Sequence, residues 1–346
     1  MISNNLKILQ VIDTLAVGGA ENVFVNTCNV LHEKKNDVTA LFILKKGILA
    51  NKMNQDIPLL ELNRRNKWSL LKMKKCLKII KEFDIIHCHS RHNYRYIKLV
   101  SLFFNLKSKI IFHEHSSNIK IPVFFNSFLK PKFIISVSSE MEALLINKIN
   151  IKRENVFVLS NSIQKISEQR KINYDCAYDF ILVSNFKRNK EVKFIVNLIN
   201  DLNSSLLLIG HKSDAFYFEE IENEIKSKDI NVTVKNEIIN AQEVLNNAKM
   251  GLHASMKETG PLVLIEYLAE GLPFLAYETG EVSKIVKKYY PEFFINNLDT
   301  IEWKKRINYI KNKKYNSLDL QKVYKEHFSE EIFYNKLINI YSCITD

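Results

Sequence analysis

Two glutamates, Glu258 and Glu266, stand with seven residues between them around a predicted junction of loop and helix. Carboxylates accept hydrogen bonds from hydroxyl groups, as binding of a sugar requires. Pro261 suits the first position of a helix, the apolar run 262–268 predicts that this helix is buried, and Gly271 predicts its end. The start of a helix presents unpaired N–H groups and the positive end of its dipole, which together bind phosphate. The stretch therefore predicts a site for a phosphorylated sugar, the alternative being an ordinary buried helix whose glutamates form ion pairs.

The spacing of Glu258 and Glu266, with Gly-Pro-Leu-Val-Leu between them and Gly271-Leu272-Pro273 after the helix, resembles the E-x7-E signature of glycosyltransferase family 4. Members of that family are retaining, nucleotide-sugar-dependent enzymes of the GT-B fold, in which two Rossmann-like, doubly wound α/β domains face a central cleft. The resemblance implies that Glu266 binds the ribose of the donor and that Glu258 holds hydroxyls of the transferred sugar. It also places three backbone N–H groups of the motif near the donor, those of Thr259, Gly260 and Leu262.

A second part of the resemblance lies in the loop that follows the strand predicted at 178–184. The family usually has Gly-Arg-Leu, three residues and then Lys-Gly, with the arginine and the lysine on the donor diphosphate. Lys190 falls on the lysine, where a fixed cation would stabilise the leaving diphosphate. Asn185 stands in place of the arginine and Glu191 in place of the glycine. Lys187 or Arg188 could supply the missing phosphate contact, while a solvated loop lysine is the alternative interpretation of Lys190.

The first half of the chain offers two further candidate features at predicted strand ends. Gly18 and Gly19 follow the first strand, and their lack of a side chain would let the backbone approach a ligand. They resemble the first loop of many family members, which faces donor phosphate and acceptor, although any tight turn can require glycine. His113 matches the family's histidine near the transferred sugar and acceptor; a structural histidine is the alternative. The neighbouring runs 87–92 and 113–115 are rich in histidine, but no cysteine pair or H-E-x-x-H accompanies them, so we expect no metal there.

Alternating apolar runs and stretches of helical length predict the elements that carry these residues. We assign residues 1–165 to a Rossmann-like acceptor-binding domain, 176–322 to a Rossmann-like domain that binds the nucleotide sugar, and 323–346 to a C-terminal helix that crosses back to the first domain. The polar segment 164–178 is the predicted linker. Eleven strands are expected, at 6–12, 38–44, 84–89, 109–113, 133–137, 156–159, 178–184, 206–209, 230–234, 250–254 and 274–277.

Composition limits the class of protein further. The 346 residues carry 46% hydrophobic residues, enough for two cores, and no apolar run long enough for a membrane span. Five scattered cysteines and the absence of a signal-like start predict a cytoplasmic protein. The net charge of +12 favours an anionic partner. Nucleic acid is not expected, because no stacking platform of several aromatic residues accompanies the basic cluster.

That basic cluster lies within residues 63–81, which contain no acid. Leucines and isoleucines alternate with its charges, as in a helix that lies on an anionic membrane, although a crossover helix with a lysine-rich outer face has the same pattern. The segment 119–132 mixes aromatic residues with lysines and predicts either a lipid interface or a buried cap. The basic residues of the cluster are Arg64, Arg65, Lys67, Lys72, Lys74, Lys75, Lys78 and Lys81.

The resemblance thus implies a retaining glycosyltransferase that moves a sugar from a nucleotide diphosphate-sugar, with UDP the expected nucleotide, to a glycan acceptor. A lipid-linked intermediate of bacterial surface polysaccharide is the expected acceptor, reached at the inner face of the membrane. No cofactor or metal is expected, because Lys190 and the helix start would neutralise the diphosphate. Two alternatives remain: a nucleotide-sugar 2-epimerase of the same fold, and a non-catalytic protein that binds sugar nucleotides.

Overall fold

The computed structural model describes residues 6–67, 69–116, 125, 127–164, 176–236 and 240–345. The chain divides into two compact units. Unit 1 comprises residues 1–163 and 330–346, and unit 2 comprises residues 164–329. Most of the predicted linker and half of the aromatic segment 119–132 lie outside the described residues.

Unit 1 is built on a parallel sheet of seven strands in the order β3-β2-β1-β4-β5-β6-β7. Its strands are nearly continuous apolar runs, as expected where helices cover both faces of a sheet. The strands are β1 (Lys7–Ile12), β2 (Asp37–Phe42), β3 (Leu59–Glu61), β4 (Ile85–Cys88), β5 (Lys109–Glu114), β6 (Phe133–Ser136) and β7 (Val156–Val158). The helices are α1 (Gly19–Glu33), α2 (Met73–Ile80), α3 (Arg91–Phe104), α4 (Ser139–Asn147) and, from the end of the chain, α11 (Glu330–Thr345).

Unit 2 repeats this arrangement with six parallel strands in the order β10-β9-β8-β11-β12-β13. Both sheets therefore show the doubly wound order in which the direction of winding reverses beside the first strand. The strands are β8 (Tyr178–Val183), β9 (Leu206–Ile209), β10 (Val232–Lys235), β11 (Ala248–His253), β12 (Phe274–Tyr277) and β13 (Phe294–Ile295). The helices are α5 (Val192–Leu202), α6 (Ala215–Ser227), α7 (Leu262–Glu270), α8 (Gly280–Val286), α9 (Thr300–Asn312) and α10 (Ser317–His327).

The C-terminal segment forms two helices that belong to different units. Helix α10 packs against α7 in unit 2. Helix α11 packs its apolar face into unit 1, where Phe333, Leu337 and Tyr341 join the core formed by β1, β2 and α1. The core of unit 1 is therefore completed by residues that follow unit 2 in the sequence.

Candidate active site

The predicted motif residues of unit 2 lie at the carboxyl ends of two neighbouring strands, β8 and β11. The winding of the sheet reverses between these strands, which is where open α/β sheets form a crevice for ligands. The loop after β8 carries Lys190, and the loop after β11 carries Glu258. The topology of the sheet thus brings together two side chains that are 68 residues apart in the sequence.

Lys190 and Glu258 form a partly buried ion pair between the lysine Nζ and the glutamate Oε1. Their side chains are 22% and 17% exposed. The cation expected to face the diphosphate and the carboxylate expected to hold the sugar are therefore adjacent. Lys190 carries three N–H donors, so a phosphate oxygen can bind beside Glu258.

A third polar side chain, His253, lies behind this pair. Its Nε2 is 3.8 Å from Oε1 of Glu258, and neither ring nitrogen has a hydrogen-bond partner among the described residues. Burial lowers the pKa of His253 to about 4, an effect that Glu258 opposes and Lys190 reinforces. The imidazole is therefore neutral near pH 7. Sequence reasoning did not select His253; its position at the end of a predicted strand, like that of His113, was the available signal.

Hydrogen bonds from neighbouring loops fix both motif loops. The hydroxyl of Ser255 donates to the carbonyl of Asn189, 3.3 Å away, which joins the two loops. The N–H of Glu258 donates to the hydroxyl of Thr279 at 3.1 Å, and the carbonyl of Thr259 accepts from the N–H of Glu281 at 2.7 Å. Since these bonds hold the backbone on both sides of Glu258, its carboxylate is positioned by the fold.

Gly280 is the glycine on which this packing depends. It has a left-handed backbone with φ of 75°, and a Cβ there would lie 2.7 Å from the carbonyl oxygen of Thr259. Any other residue would therefore push the start of α8 away from the motif loop.

Helix α7 begins at Leu262, one residue later than the sequence predicts, with Pro261 as its extended N-cap. No side chain caps this end, and the N–H groups of Leu262 and Val263 have no partner within the described part of the chain. Leu262 and Glu266 lie one turn apart on the face of α7 that is not buried. Gly271, left-handed with φ of 68°, ends the helix as predicted. The helix start is thus open to an anion, with Glu266 on the accessible face.

The loop after β8 contains the departures from the family pattern. The side-chain oxygen of Asn185 accepts from the N–H of His211 at 3.3 Å. The guanidinium of Arg188 pairs with Glu220. Lys187 is exposed and makes no ion pair within the described residues. Of the two candidates for the second phosphate contact, Lys187 is therefore the one without an acidic partner in that part of the chain.

In unit 1, Gly18 and Gly19 form the start of α1. Gly18 is its N-cap, with an extended backbone that any residue can adopt. A Cβ at Gly18 would meet only the flexible end of Glu21, and a Cβ at Gly19 would have nothing within 4 Å. Packing within the described residues therefore does not require glycine at position 19.

Four histidines at the ends of β4 and β5 lie together beneath these strand ends. We call them, with Gln10 of β1 and Tyr341 of α11, the histidine network. Nε2 of His87 lies 3.1 Å from Nδ1 of His113, and Nδ1 of His89 lies 3.2 Å from Nε2 of His115. Burial is the main cause that lowers the pKa of all four histidines, to about 3 for His87 and His115. The imidazoles are therefore neutral near pH 7.

Three of these histidines also form a group that could hold a metal ion. One ring nitrogen from each of His87, His89 and His113 lies within 4.8 Å of the others. All three are buried, and imidazole is a common ligand of zinc. The sequence predicts that no metal ion binds here, and this stays a prediction.

The basic cluster differs from a continuous amphipathic helix. Helix α2 spans only Met73–Ile80. Arg64 is buried, donates from its guanidinium to the carbonyls of Ser69 and Lys67, and lies 3.6 Å from the ring centroid of Tyr96. Arg64 is therefore not part of a charged surface, while the other basic residues of the cluster are exposed.

Two family models match the chain. The model described as Glycosyl transferases group 1 matches residues 151–327, more than half of the chain, and the model described as Glycosyltransferase Family 4 matches residues 17–164. The chain belongs to the group 1 glycosyltransferases. It is a glycosyltransferase, as the E-x7-E motif predicts. None of the curated protein sequences that were compared matches this glycosyltransferase.

Several solved structures resemble the glycosyltransferase over its length. HepE from Anabaena, in complex with UDP and glucose, has a TM-score of 0.80 and 14% identity, covering 98% of this chain and 100% of its own. A glycosyltransferase from Rickettsia africae has a TM-score of 0.78 and 18% identity, with 99% of each chain covered. A mutant of S. aureus TarM, in complex with Fondaparinux, alpha-GlcNAc-glycerol and UDP, has a TM-score of 0.79 and 13% identity, covering 97% and 99%. These likenesses and the two doubly wound sheets show the GT-B fold.

Proposed function

We propose that this glycosyltransferase transfers a sugar from a UDP-sugar to a glycan acceptor with retention of configuration. The observation that carries the proposal is the pair of Lys190 and Glu258 beside the uncapped start of α7. A diphosphate there would meet a cation and unpaired N–H groups, while Glu258 and Glu266 accept from hydroxyls of the sugar and the ribose. UDP in the HepE and TarM complexes supports the choice of nucleotide.

In this mechanism the anomeric carbon–oxygen bond to the diphosphate breaks as the acceptor oxygen attacks the same face of the sugar. The departing phosphate oxygen takes the proton of the acceptor hydroxyl. Lys190 and the start of α7 stabilise the charge that develops on the diphosphate. His113 is proposed to donate a hydrogen bond to the sugar or acceptor. No step needs a metal ion.

Replacement of Glu258 tests the proposal. Glu258→Gln keeps the size of the side chain but removes its charge, so we expect kcat to fall by about a hundredfold or more, on the scale of losing one electrostatic contact in a transition state. Stabilisation of the protein by UDP should persist, because the diphosphate contacts remain. Thermal shift with a panel of nucleotide sugars, followed by turnover with acceptor, measures both.

The matched control is Glu278→Gln, which removes a carboxylate paired with Lys287 after β12. It should leave turnover unchanged. An equal loss in both variants, or full activity of Glu258→Gln, would contradict the assigned role. A β-linked product from an α-linked donor would contradict retention, and release of free sugar without acceptor would contradict transfer.

We further propose that the acceptor is a lipid-linked intermediate of surface polysaccharide and that unit 1 binds an anionic membrane. The end of α3 exposes Leu102, Phe103 and Phe104, with Phe103 71% exposed. Helix α3 packs against α2, whose lysines are exposed. Leu70 and Leu71, just before the start of α2, are exposed as well. Apolar side chains beside lysines suit the interface of an anionic bilayer. Among the described helices, none has the length and hydropathy to cross a membrane.

Vesicle flotation tests this surface. The protein should float with vesicles containing about a third of anionic lipid at low salt, since each lysine near such a surface contributes about 1 kcal/mol. Changing Leu70, Leu71 and Phe103 together to serine should abolish flotation. Phe216→Ser is the control, because Phe216 is 80% exposed in α6 of unit 2. A wild-type protein that stays with the buffer fraction would exclude this surface.

A further inference from the structure

A single amide, that of Gln10, joins two chains of hydrogen bonds in the histidine network. Its Nε2 donates to the hydroxyl of Tyr341 at 2.8 Å, and its Oε1 lies 2.8 Å from Nε2 of His89. Gln10 and Tyr341 are both completely buried. Since water does not compete for these groups, each donor must find an acceptor inside the protein.

With the Nε2 of Gln10 donating to Tyr341, the first chain of bonds has one consistent direction. The hydroxyl of Tyr341 accepts from Gln10, and its own proton has, within the described residues, one remaining acceptor, Nδ1 of His87 at 2.7 Å. A neutral His87 that accepts at Nδ1 carries its proton on Nε2. That N–H donates to Nδ1 of His113, 3.1 Å away. His113 must then carry its own proton on Nε2.

Two observations support a chain of neutral imidazoles that ends in a protonated phenol. The rings of His87 and His113 are 21° from parallel with centroids 5.1 Å apart, which with the short N···N distance describes nearly coplanar rings joined edge to edge. Burial raises the pKa of Tyr341 far above its usual range, so that the phenol keeps its proton. A charged His113 would turn a second N–H toward that of His87, and the geometry therefore favours neutral rings.

The second chain fits the same orientation of the amide. Nε2–H of His89 donates to Oε1 of Gln10, so Nδ1 of His89 accepts from Nε2–H of His115. Turning the amide of Gln10 over would reverse every one of these bonds. His113 would then have a lone pair on Nε2 and could accept a proton. The orientation of Gln10 thus decides whether His113 donates or accepts.

We propose that Gln10 and Tyr341 are positioning residues which act through His87 to hold His113 as a neutral imidazole with its proton on Nε2. This nitrogen is buried and has no hydrogen-bond partner among the described residues. A buried N–H without an acceptor is costly, and an oxygen of a carbohydrate bound to unit 1 would satisfy it. The identity of that oxygen rests on the proposed sugar transfer, whereas the direction of the network does not. His113 acts as a hydrogen-bond donor and not as a base.

Long-range proton–nitrogen NMR spectra of the full chain, labelled with ¹⁵N-histidine, test the tautomers. His87 and His113 should show the Nε2–H pattern throughout pH 5–8, assigned with His→Asn variants. Tyr341→Phe removes the hydroxyl that donates to His87, so both residues should lose this fixed pattern. Tyr334→Phe is the control on the same helix, because the hydroxyl of Tyr334 accepts, in the described part of the chain, only from Asn36 at 3.1 Å and lies outside the network.

Turnover provides a second measurement. Tyr341→Phe should lower kcat about five- to tenfold with KM for the donor unchanged, the cost of one misdirected hydrogen bond. Tyr334→Phe should match wild type. Should Tyr341→Phe not fold, Gln10→Met is the second variant, because it removes both hydrogen bonds of the amide. His87, His89 and His113 should then all lose their fixed tautomer patterns.

Three results would overturn the inference. One is an Nδ1–H pattern for His113 in the wild-type protein, and another is a Tyr341→Phe spectrum identical to that of Tyr334→Phe. The third is stoichiometric Zn²⁺ binding that shifts the signals of His87, His89 and His113, since coordination needs the lone pairs that the network uses. If His87 and His113 show the expected tautomers in the wild-type protein but Tyr341→Phe turns over as fast as wild type, the role of His113 in transfer is refuted instead.

Discussion

At the scale of single residues, the motif indicates which groups belong to the site, but not how they pair. Lys190 and Glu258 were each predicted to contact a different part of the donor, yet in the protein they contact each other. His253 escaped prediction because one histidine in an apolar strand carries no spacing signal. Arg64 was wrongly placed on the charged surface, because its partners are backbone carbonyls that a sequence pattern does not reveal.

Lys187 provides a test at this scale. Asn185 stands where the family has arginine, and Arg188 is paired with Glu220. Lys187→Ala should therefore weaken binding of the UDP-sugar about tenfold, the size of one charge-assisted contact. Calorimetric titration with UDP measures the change. Arg188→Ala should alter the Kd less than twofold, and a larger loss for Arg188→Ala than for Lys187→Ala would reverse the assignment.

At the scale of elements, the sequence predicted strands wherever a buried apolar run was long enough. It missed β3 and β13, which span three and two residues at the edges of their sheets. Edge strands are covered by fewer neighbours, so they need no long apolar run. The start of α7 was predicted within one residue, because proline fixes its own φ at a value that suits the start of a helix. The division of the C-terminal helices between two units is tertiary and has no local signal.

The start of α5 contains a test of backbone strain. Glu191, which replaces the family's glycine, is left-handed with φ of 53° and makes no side-chain cap. Left-handed backbone costs an ordinary residue about 1 kcal/mol. Glu191→Gly should therefore raise the free energy of unfolding by about that amount in urea denaturation. Asn203→Gly is the comparison: Asn203 is also left-handed, but asparagine tolerates this conformation, so its gain should be smaller. If Glu191→Gly instead lowers the free energy of unfolding, the side chain of Glu191 stabilises the protein by more than its left-handed backbone costs.

At the scale of the whole molecule, the buried histidines link stability to pH. Their pKa values are lower in the folded protein than the ordinary value of about 6.5, so the unfolded chain binds more protons between about pH 3 and 6.5. Stability is present above pH 6.5 and is lost as the pH falls below it. Glu330 acts in the opposite direction, because burial and then Glu33 raise its pKa to about 7. Asp13 and Glu114, whose pKa values burial also raises, act in the same direction as Glu330. The four histidines of the network and His253 outnumber these three carboxyls.

We therefore expect the unfolding temperature to fall steadily from pH 7 to pH 5. Each histidine contributes up to about 1.4 kcal/mol per pH unit. His115→Gln should reduce the slope, whereas His211→Gln, at an exposed position, should leave it unchanged. Calorimetric scans at half-unit steps of pH measure both. If the unfolding temperature of the wild type does not change between pH 7 and pH 5, the histidine network is not buried in solution.

The place of α11 in the chain has a consequence for biosynthesis. Tyr341 and the apolar residues around it emerge from the ribosome only after all of unit 2 has been made. Until then unit 1 lacks part of its interior and the group that orders His87. A nascent chain can therefore fold unit 2 first, and unit 1, which contains the histidine network, is completed last.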